Sequence, residues 1–329
     1  MYDNLPDFIT HNTVLPLFAA PMFLVSGPDL VLAACRAGVI GAFPAPNTRT
    51  IDVLDGWFAR ITAELEAARM QHPAQRIAPW AINLIVHRSY KRREAELDLV
   101  IKYKAPIVIT ALGSPREIVD PVHEYGGLVF ADVNSVKYAR KAAEAGVDGL
   151  VLVAAGAGGH TGQMTGFAFV DAVREFWDGM IVLAGGISTG RAIRAAQTLG
   201  ADLAYMGTRF IATRESLASD DYRQMLVEAT IEDIVTSDAL TGVHANWLIP
   251  SLQRAGYTPD KLQKKGRINF DDPLSDVKAW RDTWSAGQGV GTIKQVQTVA
   301  ELVADLQAQY QQAIRQERQG DAWTDPSQG

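Results

Sequence analysis

The residues best suited to chemistry lie in "VLVAAGAGGHTGQMTG", Val151 to Gly166, where an apolar run leads into Gly156, Gly158, Gly159, Gly162 and Gly166 around one histidine, His160. Glycine is entropically costly in ordered structure, so such a cluster signals unusual backbone angles or something packed against bare backbone. A histidine titrates near neutrality and can take a proton from a carbon acid. A single loop histidine is more often only a polar loop residue. His160 stands out because small residues leave space around it at the end of a strand-like run. The other histidines, His11, His72, His87, His123 and His244, are scattered and read as surface or structural.

Two more glycine-containing turns follow: "AGGIS" at 184–188 and "MGTRF" at 206–210. Backbone N–H groups of Gly185, Gly186, Gly207 and Thr208 could converge on a phosphate, since a missing side chain lets an anion approach the amides. Alternatively, Gly185 and Gly186 only make a tight turn before a helix at Thr189. The G-x-G-x-x-x-G spacing of 156–162 is not the dinucleotide fingerprint, and no P-loop or zinc-type H-E-x-x-H or C-x-x-C pattern is present, so no metal is expected.

The elements that must hold these turns alternate along the chain. Strand candidates are 15–22, 39–45, 78–86, 106–113, 127–133, 148–156, 180–187 and 201–208, most of them separated by a helical pattern. Their continuous apolar character predicts a parallel sheet covered on both faces. Eight strand–helix units predict a (β/α)8 TIM barrel rather than an open doubly wound sheet. The three glycine turns then follow the sixth, seventh and eighth strands, at the end where such barrels bind ligands. After Thr208 the regularity breaks. Residues 209–290 read as an added, mostly helical segment packed beside the barrel mouth, within one domain of 1–329. A closing helix over 294–316 and a frayed tail at 317–329 complete the expectation.

The 329 residues are 47% hydrophobic and 21% charged with a net charge of −6, an ordinary globular balance without a basic footprint for nucleic acid or anionic membrane. The lone Cys35 excludes an intrachain disulfide. No apolar run reaches the roughly 18–20 residues of a membrane span, and "MYDNLPDFITHN" lacks the regions of a signal peptide, so a cytoplasmic protein is expected.

"AGAGGHTG", "VLAGGIST" and "LGADLAYMGTRFIATRES", in this order, together with "APM" at 20–22, "INL" at 82–84 and "WSAGQGVG" at 284–291, resemble the nitronate monooxygenase family, formerly called 2-nitropropane dioxygenases. The resemblance runs over about residues 14–305. It implies FMN, with Ala20, Pro21 and Met22 under the ring, Asn83 on the third strand and Gly158 and Gly159 beside the flavin. Gly185, Gly186, Gly207 and Thr208 would hold the phosphate, and His160 would be the catalytic histidine. One position departs from the pattern: Asp132 ends the fifth strand where relatives often carry a lysine.

The implied activity is oxidation of alkyl nitronates, or of nitroalkanes, with O2 to carbonyl compounds and nitrite. FMN-dependent enoyl-ACP reductases and NAD(P)H:quinone reductases resemble this sequence closely too, so a flavin reductase is the alternative. A non-catalytic barrel binding a phosphorylated metabolite is a second alternative. Met22, Phe23 and Met164 would give an apolar mouth, or serve as ordinary core. Oligomeric state is left open.

Overall fold

The computed structural model describes residues 5–258 and 282–319. Eight strands close into a barrel in chain order: β1 (Leu17–Ala19), β2 (Ile40–Pro44), β3 (Trp80–Ile85), β4 (Ile107–Ala111), β5 (Leu128–Val133), β6 (Gly149–Val153), β7 (Met180–Ala184) and β8 (Leu203–Met206). Every neighbouring pair is parallel, including the closing pair of β1 with β8. This is the (β/α)8 barrel expected from the strand–helix alternation.

Alternate side chains of each strand point to opposite faces, and here both faces are dry. Phe18, Ile40, Ile109, Phe130, Val151 and Val182 fill the interior, with the Phe18 and Phe130 rings edge-on at 5.9 Å. The short helix Asp7–Thr10 adds Ile9 to the same cluster, which stops the barrel at the N-terminal end of its strands. Ile82, Leu84, Leu150 and Leu152 face outward onto Phe58 and Phe169 of the surrounding helices. Double burial is why the strands read as unbroken apolar runs.

Helix starts follow local capping chemistry. The hydroxyls of Thr50, Ser135 and Thr189 each accept from a backbone amide three residues on. The closing helix runs Val299–Arg318, opened by a Thr298–Glu301 capping box, so residues 294–298 lie before it. It lies against helix Gly190–Leu199 so closely that a Cβ on Gly190 would sit 2.1 Å from Leu306 O. Glu317 is paired with Arg194 at 2.8 Å. Of the tail expected to fray, residues 320–329 lie outside the described residues.

After β8 come helices Thr208–Ile211 and Asp220–Glu228, then an antiparallel pair of strands, Ile234–Ser237 and Ala245–Leu248, and helix Ile249–Arg254. The strand pair was not foreseen; its two runs are only four residues each and alternate poorly. Residues 259–281 lie outside the described residues. No helix of the described residues is long and apolar enough to cross a membrane.

Candidate active site

The mouth is assembled from loops at the C-terminal ends of the strands. Ala20 N–H donates to Met206 O at 3.0 Å, tying the exit of β1 to that of β8. Asn47, after β2, then fixes the turn that carries Pro21 and Met22. Its side-chain amide donates to Met22 O at 3.0 Å and Ser26 O at 2.7 Å, while its oxygen accepts from Leu24 N–H at 2.8 Å. Leu24 is thereby held in the left-handed region at φ 60°. Asn47 was passed over in the sequence; a polar residue in a "PAPN" turn straight after a strand was the available signal. Gly207 joins this group, since a Cβ there would meet Met22 Sδ at 3.4 Å and Ala20 Cβ at 3.8 Å.

Most of the glycines after β6 serve backbone-on-backbone packing. A Cβ on Gly158 would lie 2.7 Å from Gly287 N, and one on Gly162 would lie 2.1 Å from Val153 O. Gly156 adopts φ 94° and its carbonyl accepts from Gln288 N–H at 2.9 Å and Gly186 N–H at 3.3 Å. Gly287 N–H donates to Thr208 Oγ1 at 2.8 Å. The segment Ala286–Gln288 therefore bridges the loops after β6 and β8. Gly185, at φ 120°, is as crowded, its Cβ position 2.8 Å from Ala155 O. Gly186 differs: at φ 70° its Cβ position has nothing within 4 Å. Of the three glycines expected at a phosphate, only Gly186 borders open space, and its amide already has a long bond to Gly156; a Cβ on Gly207 would touch Met22 and Ala20.

His160 is part of a sheet. Gly159–His160 pairs antiparallel with Ala245–Leu248, His160 opposite Ala245 and Gly159 opposite Asn246. Thr161 N–H donates to His244 O at 2.9 Å, and the Asn246 side-chain amide donates to Ala157 O at 2.7 Å. The segment after β8 thus holds the histidine loop by its backbone. His160 is an exposed residue of this sheet, yet desolvation by the protein around it pushes its pKa down from 6.5 to about 4. Exposed or desolvated, the imidazole is neutral at about pH 7.

Beneath the mouth lies a polar layer that the interior pattern puts one step above the apolar fill. Asn83, Asp132 and Tyr205 each follow an interior residue (Ala81, Phe130, Leu203) by two positions. Asn83 Nδ2 donates to Asp132 Oδ2 at 3.2 Å. Asp132 Oδ1 and the Tyr205 hydroxyl are shut off from solvent without a hydrogen-bond partner. Burial raises the Asp132 carboxyl from 3.8 to about 7, against a smaller lowering by Asn83. Burial, with the Asp132 charge, also drives the Tyr205 phenol up. Two open surface grooves along Asp221 and Gln224 belong to the segment after β8 and share no residue with this mouth.

A closed parallel barrel whose loop histidine and buried polar groups gather at the C-terminal mouth has the architecture of a (β/α)8 enzyme. The family model for nitronate monooxygenase matches residues 7–309, and the chain belongs to that family of oxidoreductases. A putative monooxygenase of Mycobacterium tuberculosis is 30% identical over 247 residues, covering 70% of this chain and 66% of that protein. The (3aS,4S,5R,7aS)-5-hydroxy-7a-methyl-1-oxo-octahydro-1H-indene-4-carboxyl-CoA dehydrogenase of Rhodococcus jostii is 28% identical over 245 residues, 73% of this chain and 65% of that protein. The matched part thus spans about two thirds of each relative's length. In fold, the nitroalkane oxidase of Streptomyces ansochromogenes superposes with a TM-score of 0.79, covering 94% of this chain and 100% of that one at 23% identity.

Proposed function

We propose that the protein is an FMN-dependent nitronate monooxygenase that oxidises alkyl nitronates with O2 to carbonyl compounds and nitrite. The observation that carries this reading is His160, a neutral imidazole in an exposed residue of the glycine loop after β6, held in a strand that pairs with Ala245 and Asn246. Ala20, Pro21, Met22 and Asn83 would hold the flavin ring, with Gly158 and Gly159 alongside. Gly185, Gly186, Gly207 and Thr208 would hold the phosphate. The residues suit such a group. Open space borders Gly186, and unpartnered polar atoms of Asp132 and Tyr205 lie under an otherwise apolar interior top. FMN, when bound, supplies acceptance of an electron from the electron-rich nitronate.

The chain's own contribution is binding, orientation and charge. A neutral His160 N–H can donate to a nitronate oxygen and offset its negative charge without a proton transfer. With its pKa near 4, the same imidazole is poorly matched to removing a proton from an alkyl carbon acid. The ready-made anion is therefore the favoured substrate, ahead of the neutral nitroalkane. Met22 lies beside Gly207 and packs, partly buried, against two apolar clusters, while Met164 packs, partly buried, against the core outside the barrel strands.

A second reading is the flavin reductase, in which NAD(P)H reduces the flavin and a quinone or enoyl thioester reoxidises it; what favours keeping it is that the Rhodococcus relative is named for oxidoreduction of a carboxyl-CoA and not of a nitronate. One experiment separates the two. Purified protein is mixed anaerobically with an alkyl nitronate or with NAD(P)H while flavin absorbance is followed. Bleaching by nitronate alone supports the monooxygenase. Rapid bleaching by NAD(P)H with indifference to nitronate replaces it by the reductase, and colourless protein that takes up no flavin removes both.

A further inference from the structure

The interior of the barrel carries a carboxyl whose protonation the reading above leaves without a role. Asp132 stands at the top of β5 with one carboxylate oxygen engaged and the other free. The groups that face it are Asn83 from β3 and Tyr205 from β8; its register partner on β6 is the aliphatic Val151, with His160 on the rim beyond. Among the described residues no lysine or arginine lowers its titration. A buried carboxylate without a cation is strongly disfavoured, so this side chain keeps its proton up to about neutral pH. Asn83 already donates to Oδ2, which leaves the proton on Oδ1, the oxygen without a partner. The result is an O–H donor beside a phenol, both beneath the mouth and both unsatisfied. A buried unsatisfied donor signals a ligand that completes it.

We propose that the protonated Asp132 carboxyl, with the Tyr205 hydroxyl, hydrogen-bonds the flavin from inside the barrel, so that FMN binding is linked to one proton on this chain. The proposal rests on the flavin assignment above and adds a consequence which that assignment does not contain. An ionised Asp132 has no proton to donate and sets a negative charge against an electron-rich ring. Affinity for FMN must then fall as the pH rises past the point where the carboxyl loses its proton. Asn is the natural mimic of the acid form: its oxygen can accept from Asn83 while its amide donates where the O–H stood.

The test is titration of the full-length apoprotein with FMN, followed by flavin fluorescence, from about pH 7 to about pH 9, above the second phosphate ionisation. Riboflavin, which has no phosphate, is titrated in parallel. In wild type the Kd for both flavins should rise by about 10-fold or more over that range, as expected for one linked proton. In Asp132→Asn it should change by less than about 2-fold and match the wild-type value at the low end. Tyr205→Phe should weaken binding yet keep the wild-type pH slope, and it provides an independent readout if Asp132→Asn folds poorly. A flat wild-type profile, an unchanged slope in Asp132→Asn, or a lost slope in Tyr205→Phe would each overturn the proposal. Failure of wild type to bind FMN at any pH would instead overturn the flavin assignment, and this proposal with it.

Discussion

Gly158 and Gly287 meet backbone to backbone: a Cβ on Gly158 would lie 2.7 Å from Gly287 N, and one on Gly287 would lie 3.0 Å from Gly158 N and 2.6 Å from Gly156 O. A methyl group at either position must push apart the histidine loop and the Ala286–Gln288 segment. Gly158→Ala and Gly287→Ala should each cost ~1–3 kcal/mol, the usual range for overpacking a filled contact. Chemical denaturation measures the loss, and wild-type stability in both variants would show that the loops are not in contact.

His160→Asn tests whether the imidazole serves as a donor or as a base. Wild type should already turn over neutral nitroalkane far more slowly than pre-formed nitronate, because an imidazole with a pKa near 4 is a weak base toward a carbon acid. Asn can still donate to a nitronate oxygen, so nitronate turnover in the variant should fall by less than about 10-fold, with FMN content unchanged. A loss of ~10²–10⁴-fold confined to neutral nitroalkane would instead make His160 a carbon base, and loss of FMN would make it structural.

Asn246→Ala removes the donor to Ala157 O from a side chain only 1% exposed. The acceptor is left short of a partner, which costs ~1–3 kcal/mol. With the strand that steers His160 loosened, nitronate turnover should drop about 10–100-fold with flavin content retained. Asn246→Asp keeps an acceptor but no donor toward Ala157, and should behave as badly. Full activity in both variants would show that the bond to Ala157 does not position the histidine.

Gly186→Asp should leave the fold intact and abolish flavin retention. Its Cβ position is open, and Asp tolerates φ near 70° at a strain of roughly 1–2 kcal/mol. The new carboxylate would repel a phosphate at that turn. A stable variant that still purifies yellow would remove Gly186 from the phosphate site.

Asp132 also links apoprotein stability to pH. Its folded pKa, about 7, exceeds its ordinary 3.8, so between those values the folded chain holds a proton that the unfolded chain has released. Stability therefore falls as pH rises through that window and levels off above about 7. Asp132→Asn removes this penalty. Its Tm should match wild type at about pH 4 and exceed it at about pH 8, the gap opening in between. Thermal melts across that range check it, and a constant gap would show that the carboxyl is not held protonated.

The barrel was legible in the sequence because its signals are local. Strands such as 106–113 and 148–156 are unbroken apolar runs for the plain reason that both faces of each strand are buried. Caps at Thr50, Ser135 and Thr189 mark the helix starts within a few residues of where they lie. The strand pair 234–237 and 245–248 was not legible. Four-residue strands with mixed burial carry no period of their own, and they hold their shape by pairing with Gly159–His160. Asn47 escaped notice for a similar reason, since a single polar side chain does not announce which distant carbonyls it will bind.

The sequence by itself determined the parallel (β/α)8 architecture, the family, and the presence of glycine turns and a histidine at the ends of the last three strands. The architecture and the turns follow from hydrophobic periodicity and from backbone angles that few residues other than glycine adopt, and the family follows from the resemblance of "AGAGGHTG", "VLAGGIST" and "LGADLAYMGTRFIATRES". Only the tertiary structure decided what each glycine is for. Gly158 and Gly162 admit neighbouring backbone, whereas Gly186 borders open space, and no spacing rule distinguishes the two uses. It also decided the state of Asp132, whose letter reads as a charge. Closing the barrel removes water and supplies one amide from Asn83 and, among the described residues, no cation, and the energy of a buried charge then keeps the proton on up to about pH 7.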